Sequence, residues 1–191
     1  MKGSAGKIPV TVKSRIGVDD QNPDEVLPEF ITKVANSGCS VFIIHARKAL
    51  LRGLSPKDNR KIPPLQYPLV YEMQKNFPGL DIILNGGLTE LKEMKSFVKN
   101  RVAGVMIGRE AYQNPSILLN VDNEIFDQKE KVRSMKDVIR NMIEYCNREK
   151  AEGTAIKGIL KHLKGAFKGR ANSKEFKRVL FCNETPDSEK L

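Results

Sequence analysis

Four short apolar runs in the sequence each contain or end in groups that could bind an anion. The first run carries Lys13 and Arg15, the second ends in His45, and the last two are followed by residues 85–87 (Asn-Gly-Gly) and 108–109 (Gly-Arg). Glycine allows a backbone to approach a phosphate closely, and a nearby cation offsets the phosphate's charge. The two glycine motifs, one βα unit apart, therefore predict a phosphate site. Ordinary turn glycines at strand ends are the alternative explanation.

Lys13 and His45 have more than one interpretation. A lysine inside the run VTVKSRIG can extend its amine to solvent, but a strand buried on both faces tolerates an ammonium only where an anion compensates it. We therefore predict an anion contact for Lys13. A histidine at the end of an apolar run is most often structural, whereas the neighbouring Arg47 and Lys48 favour an anion contact for His45.

A parallel sheet would bring these residues together. The first part of the chain alternates β-branched runs with helical stretches, which is typical of βα units. Because the carboxyl ends of parallel strands meet at one edge of a sheet, the polar residues are expected there. The predicted strands are residues 10–16, 41–45, 81–85 and 104–107.

Helix signals separate these runs. Asn22 followed by Pro23 predicts a helix start, and Gly38 predicts its end. Pro28 leaves open a later start near residue 27 or a kink in the first turn. Two further helices are predicted, one at 68–76 and one that is capped by Thr89 and runs to residue 100.

Past residue 120 the strand pattern disappears. Apolar residues at 135, 138, 139, 142, 143 and 146 predict an amphipathic helix, and shorter helices are expected after Gly153 and at 173–180. The predicted organisation is an α/β domain at 1–122, a charged linker at 123–131, a helical domain at 132–181 and a disordered tail at 182–191. No apolar run approaches the ~20 residues of a membrane helix.

The net charge of +10 is concentrated in two segments. Residues 47–61 contain six basic residues and one acid, and residues 154–178 contain eight basic residues and one acid. Clustered positive charge predicts a polyanionic partner, with nucleic acid as the leading class. For the second segment, a solvated helix face is the alternative.

Cysteine and histidine usage excludes several classes of site. Three scattered cysteines predict no disulfide framework, and two histidines give no metal-ligand spacing, so we expect a reducing compartment and no metal. The amino-terminal residues have no apolar secretory core. We expect a cytoplasmic protein, although an organellar address could have been lost upstream.

Four motifs together resemble successive motifs of tRNA-dihydrouridine synthases. They are VTVKSRIGVDD, VFIIHARKALLRGLSPKDNRKIPPLQY, IILNGGL and GVMIGREAYQNP. The long central motif most resembles the branch that acts on D-loop positions 20 and 20a. This resemblance implies an α/β fold: a partial (β/α)8 TIM barrel, about the last four βα units, followed by a small all-α RNA-binding domain.

The resemblance also implies a function. Enzymes of this family are oxidoreductases that use FMN, with NADPH as reductant, to reduce the C5–C6 bond of uridine during tRNA processing. By motif, Lys13 and His45 would contact FMN, and its phosphate end would be held by Asn85, Gly86, Gly87, Gly108 and Arg109. Contacts to tRNA would come from Lys57, Arg60, Lys174 and Lys177.

One family motif is missing from this chain. The family's catalytic cysteine lies in a motif like NVGCP, which the sequence lacks. Cys39, Cys146 and Cys182 are in the wrong places to replace it, so we expect a fragment that needs the missing half for catalysis. A non-catalytic RNA-binding protein is the main alternative. An FMN barrel acting on a small metabolite is a third, which leaves the basic segment after His45 unexplained.

Overall fold

A four-stranded parallel sheet forms the centre of the amino-terminal unit in the computed structural model, which describes Gly6 and residues 8–129 and 131–181. The strands lie in the order β1-β2-β3-β4, and each is connected to the next through a crossover that contains a helix. The α/β prediction is therefore confirmed. The strands are β1 (Thr11–Arg15), β2 (Val41–His45), β3 (Asp81–Asn85) and β4 (Gly104–Met106).

The two faces of this sheet differ in exposure. Phe42, Ile44, Ile82 and Leu84 are at most 1% exposed and alternate with half-buried residues. Because successive side chains of a strand point to opposite faces, all four belong to one face. Three helices contribute further buried residues to this core: α1 (Pro23–Asn36), α2 (Tyr67–Asn76) and α3 (Leu91–Asn100).

Helix α1 follows the predicted end signals. The Asn22 side chain accepts a hydrogen bond from the Asp24 N–H at 3.2 Å, and Pro23 is the first helical residue. The helix continues through Pro28, which loses one backbone hydrogen bond, so the later start is wrong. Gly38 has a φ of 87° just beyond the last turn, as expected for a glycine that ends a helix.

Helix α3 begins later than predicted. The sequence favoured Thr89 as its cap, but the N-cap is Glu90, whose side chain makes no capping hydrogen bond. The reason is the backbone pairing: the first helical hydrogen bond runs from the Met94 N–H to the Glu90 carbonyl at 3.1 Å. Thr89 therefore lies one residue too early to cap the helix.

The second unit, residues 108–191, contains helices and 3-10 turns in the part that the structure describes. Its longest helix starts with a capping box in which Ser134 and Asp137 bond each other's backbone N–H groups. The predicted apolar stripe occupies its less exposed side. The helices are α4 (Arg109–Gln113), α5 (Val121–Glu124), α6 (Met135–Ala151), α7 (Ile156–Leu160) and α8 (Ser173–Phe181).

The chain divides after Ile107, earlier than the predicted linker 123–131. Contacts of α4 explain the difference. Glu110 pairs with Lys168 at 3.2 Å. Gly165 packs so closely against the chain that a Cβ on it would lie 2.5 Å from the Gln113 carbonyl oxygen. Residues near 110 are thereby fixed to the carboxyl-terminal helices.

Candidate functional site

Three polar side chains lie side by side at the carboxyl edge of the sheet. Arg15 is in register with His45, and His45 is in register with Asn85. The Asn85 amide donates to the Met106 carbonyl at 2.8 Å, which joins β3 to β4 at this edge. The sequence expectation that strand-end residues of the first unit meet at one edge is confirmed for these three.

Lys13 lies two residues before Arg15, so both side chains project from the same face of β1. Partial burial, and then the charge of Arg15, lower the pKa of the Lys13 ammonium. Among the described residues this ammonium has no hydrogen-bond or carboxylate partner. Two like charges without an acid between them would be stabilised by a bound anion.

Gly86 and Gly87 are required by the side chains beside them. Both have positive φ, at 117° and 70°. A Cβ on Gly86 would lie 2.6 Å from His45 Cδ2, and one on Gly87 would lie 2.6 Å from Leu65 Cδ1. The sequence pattern predicts that these glycines allow a phosphate to approach. In the structure, the space that their missing side chains leave is filled by His45 and Leu65.

Tyr67 is a site residue that sequence reasoning missed. Its hydroxyl donates to the Gly86 carbonyl at 2.6 Å, which fixes the glycine turn beside His45. Burial, followed by the charge of Glu93, raises the pKa of Tyr67, so the phenol stays protonated as a donor. The sequence feature that could have indicated Tyr67 is its place at the end of the motif IPPLQY.

Gly108 and Arg109 belong to the second unit. Gly108 is exposed, and a Cβ on it would have no heavy atom within 4 Å. Open backbone of this kind is compatible with a close ligand. Their predicted association with residues 85–87 stays a prediction.

The basic residues predicted to contact RNA lie on the surface of their units. Lys57 and Arg60 are exposed in the connection between β2 and α2. On α8, Lys174 is exposed and Lys177 is half-buried, three residues apart and therefore on one helix face. The nearby Arg178 pairs with Glu175 at 2.6 Å, and both side chains are largely exposed.

The cysteines lie where the sequence placed them. Cys39 is 8% exposed and its thiol lies 3.5 Å from the Val41 carbonyl, at the amino end of β2. Cys146 is half-buried on α6, where burial and then the charge of Glu149 raise the pKa of its thiol. The prediction for Cys182 and the tail at 182–191 falls outside the described residues.

No group of three or more potential metal-ligating side chains occurs in residues 8–129 and 131–181. None of the helices in that part of the chain is long and apolar enough to cross a membrane.

Comparisons with known proteins agree with the motifs. A family model described as Dihydrouridine synthase (Dus) matches residues 2–191. The tRNA-dihydrouridine(20/20a) synthases of Escherichia coli K12 and Vibrio cholerae are 49% and 48% identical over 177 residues, and that of Pasteurella multocida is 44% identical over 176 residues. These matches cover 92% of this chain but 51%, 54% and 54% of the relatives, so the chain spans about half of their length.

Solved structures add no argument about the fold. A response regulator of Salmonella typhimurium matches 91% of this chain and 98% of its own, with 15% identity and a TM-score of only 0.29. The motifs, the family model and the curated relatives are consistent with one another. The chain belongs to the dihydrouridine synthase family, in the branch of the tRNA-dihydrouridine(20/20a) synthases.

Proposed function

We propose that this chain is the carboxyl-terminal part of an FMN-dependent tRNA-dihydrouridine synthase, which reduces D-loop uridine with NADPH as the reductant. The observation that carries the proposal is the pair His45 and Asn85 at the carboxyl edge of a parallel sheet, with Lys13 on the same face of β1 two residues before the end of that strand. Ligands of βα-barrel proteins bind at this edge. The relatives' printed names supply the substrate, tRNA.

The edge residues fit a flavin by charge and hydrogen bonding. Lys13 brings an ammonium with no acid partner among the described residues, and His45 brings an imidazole held against Gly86. When bound, FMN supplies the hydride that is added to the uracil ring. Lys13 is exposed in this chain, so its charge would favour negative charge developing nearby most strongly once a bound flavin excludes water from it.

The phosphate end of the flavin is assigned to the glycine motifs. Asn85, Gly86 and Gly87 follow β3, and Gly108 and Arg109 follow β4. At the second motif, the open backbone of Gly108 is the part that we assign to a close approach of a phosphate. Arg109, which is exposed, would supply the charge.

The proton at uracil C5 requires an acid, and neither cysteine in the described part of the chain is placed to supply it. Cys39 is buried at the opposite end of β2. Cys146 lies in the apolar stripe of α6, where burial raises the pKa of its thiol. We therefore assign the acid to a cysteine in another part of the enzyme. In the same proposal, the first unit (residues 1–107) belongs to half of a TIM barrel, and the helices of the second unit form an RNA-binding domain of a cytoplasmic protein.

Contact with tRNA is assigned to Lys57 and Arg60 next to the sheet edge, and to Lys174 and Lys177 on α8. Each is a cation on the surface or half-buried there. Phosphate contacts by such side chains supply affinity that falls steeply with salt. They also position the nucleic acid without reading its sequence.

Reconstitution tests the catalytic proposal. We would express this chain together with the amino-terminal half of the Escherichia coli relative and measure dihydrouridine at tRNA positions 20 and 20a by mass spectrometry. The expected result is dihydrouridine formation that is lost in Lys13→Met and kept in Lys99→Met, a change at an exposed lysine of α3. Absence of dihydrouridine from a stable complex of the two halves would contradict the proposal.

One observation favours a second function, a tRNA-binding protein without catalysis. Neither of the cysteines that the structure describes, Cys39 and Cys146, is in a suitable place to act as the acid. This alternative predicts tight, salt-sensitive tRNA binding but no saturable FMN binding. A flavin titration of the chain alone therefore distinguishes the two functions.

A further inference from the structure

The exposed cations beside the sheet edge lie on one long connection, which we call the basic loop (residues 47–61). Four of its cations are exposed, namely Arg52, Lys57, Arg60 and Lys61. A flexible loop would lose conformational freedom when it binds RNA, and that loss would weaken binding. The contacts that hold the loop in shape before binding therefore matter for its affinity.

The Arg15 side chain, on β1, forms hydrogen bonds to the backbone near both ends of the basic loop. Its Nη1 atom donates to the Lys48 carbonyl at 2.6 Å and to the Asn59 carbonyl at 2.9 Å. These carbonyls lie close to the beginning and the end of the loop. The Arg15 side chain is half-buried, and partial burial, followed by the charges of Arg47 and Arg60, lowers its pKa.

Asn59, near the end of the basic loop, bonds through its side chain to the Leu50 backbone near the start of the loop. Its side-chain carbonyl accepts from the Leu50 N–H at 2.8 Å, and its amide donates to the Leu50 carbonyl at 2.5 Å. The turn after β1 adds a bond from the Leu51 N–H to the Asp19 carboxylate at 2.7 Å. The loop is thus tied to β1 and its following turn at several backbone positions.

The geometry points to Arg15 as a positioning residue for RNA binding: it holds the basic loop in the shape that presents Lys57 and Arg60 to phosphates. This inference rests on the proposed tRNA-binding function. Arg15 acts through backbone carbonyls rather than by touching RNA. Lysine at this position would keep the charge, but it lacks the planar group that bonds two carbonyls in fixed directions.

Hydrogen exchange of the tRNA-free chain tests the positioning step by itself. The reporter amides are Leu50, Leu51 and Asn59, whose N–H groups are all bonded within or to the basic loop. In Arg15→Lys, we expect these amides to exchange at least about tenfold faster, with no change in α1. Unchanged exchange of the three amides would overturn the inference.

Salt-dependent tRNA binding tests the consequence. Each phosphate contact contributes about −0.7 to −0.9 to the slope of log affinity against log salt. Lys57→Gln should reduce the slope by about one contact. Arg15→Lys keeps the charge at position 15, but it should reduce the slope by more than the contribution of one phosphate contact. The control Lys92→Gln, at an exposed site on α3, should leave the slope unchanged.

Two outcomes separate this inference from the proposed function. If the wild-type chain fails to bind tRNA at low salt, the tRNA-binding proposal fails, while the exchange result still decides the role of Arg15. If Arg15→Lys does not fold, Asn59→Ala is the second variant, because it removes the side-chain bonds to the Leu50 backbone. That variant should also show faster exchange at Leu51, whose acceptor Asp19 is unchanged, and a reduced slope, and a wild-type result for both would overturn the inference.

Discussion

The imidazole of His45 lies so close to the Gly86 backbone that a side chain at position 86 would force the ring to move. A Cβ there would lie 2.6 Å from Cδ2 and 3.0 Å from Nε2 of the ring. Gly86 also has a φ of 117°, which side chains rarely allow. The glycine turn and His45 are therefore packed together, so a change in one should displace the other.

Gly86→Ala should displace His45 and strain the turn. We expect a loss of about 1–3 kcal/mol in the free energy of unfolding, since the new methyl group meets both a steric clash and an unfavourable φ. Flavin affinity should fall as well. Urea denaturation and FMN titration measure the two effects.

The matched control for this change is Gly79→Ala, where a Cβ meets nothing within 4 Å and φ is not in the left-handed region. Its unfolding free energy should change by roughly 0.5 kcal/mol or less. Equal effects at positions 79 and 86 would show that the contact with His45 is unimportant.

The ionisation of Lys13 should appear in flavin binding. Burial and the Arg15 charge lower the pKa of Lys13, and an anion binds better to its protonated form. FMN affinity should therefore decrease as pH rises through this lowered pKa, below the value of about 10.4 for an ordinary lysine. Titrations at several pH values should show this dependence in the wild type and in Lys99→Met, but not in Lys13→Met. A pH profile that Lys13→Met leaves unchanged would refute the assignment.

Close packing in the second unit predicts a difference between two glycines. A Cβ on Gly165 would lie 2.5 Å from the Gln113 carbonyl oxygen, whereas one on Gly158 would meet nothing within 4 Å. Gly165→Ala should cost about 1–3 kcal/mol of unfolding free energy. Gly158→Ala lies within α7 and should be neutral or stabilise the chain by up to about 1 kcal/mol. Denaturation curves that rank the two variants in the reverse order would contradict this packing.

The cap of α6 should make stability sensitive to acid. Hydrogen bonds from the Ser134 side chain and backbone lower the pKa of Asp137. A carboxyl group with a lowered pKa stabilises the fold above its ordinary pKa, and this contribution disappears as pH falls through the lowered value. Ser134→Ala should weaken that acid-dependent loss in thermal unfolding curves, whereas Ser96→Ala, at an exposed helical site, should not. Identical acid profiles for the two variants would argue against the cap.

The strands could be predicted from the sequence because each is a short run rich in Val, Ile or Leu. The Asn22 cap and the Gly38 end also followed from residue type alone. Thr89 does not cap α3 because the first helical hydrogen bond runs to the Glu90 carbonyl, one residue later, and residue type alone does not distinguish two adjacent positions. Tyr67 and Arg15 were missed as supporting residues because their hydrogen bonds reach carbonyls 19 and at least 33 residues away. Contacts at such separations have no local pattern.

The most direct test of the central claim is an equilibrium titration of the purified 191-residue chain with FMN, followed by flavin fluorescence. Saturable binding that weakens in Lys13→Met and in His45→Ala, with circular dichroism showing folded variants, is the predicted result. A folded wild-type chain that binds no FMN, or that binds it equally well after both substitutions, would contradict the assignment of this sheet edge to the flavin.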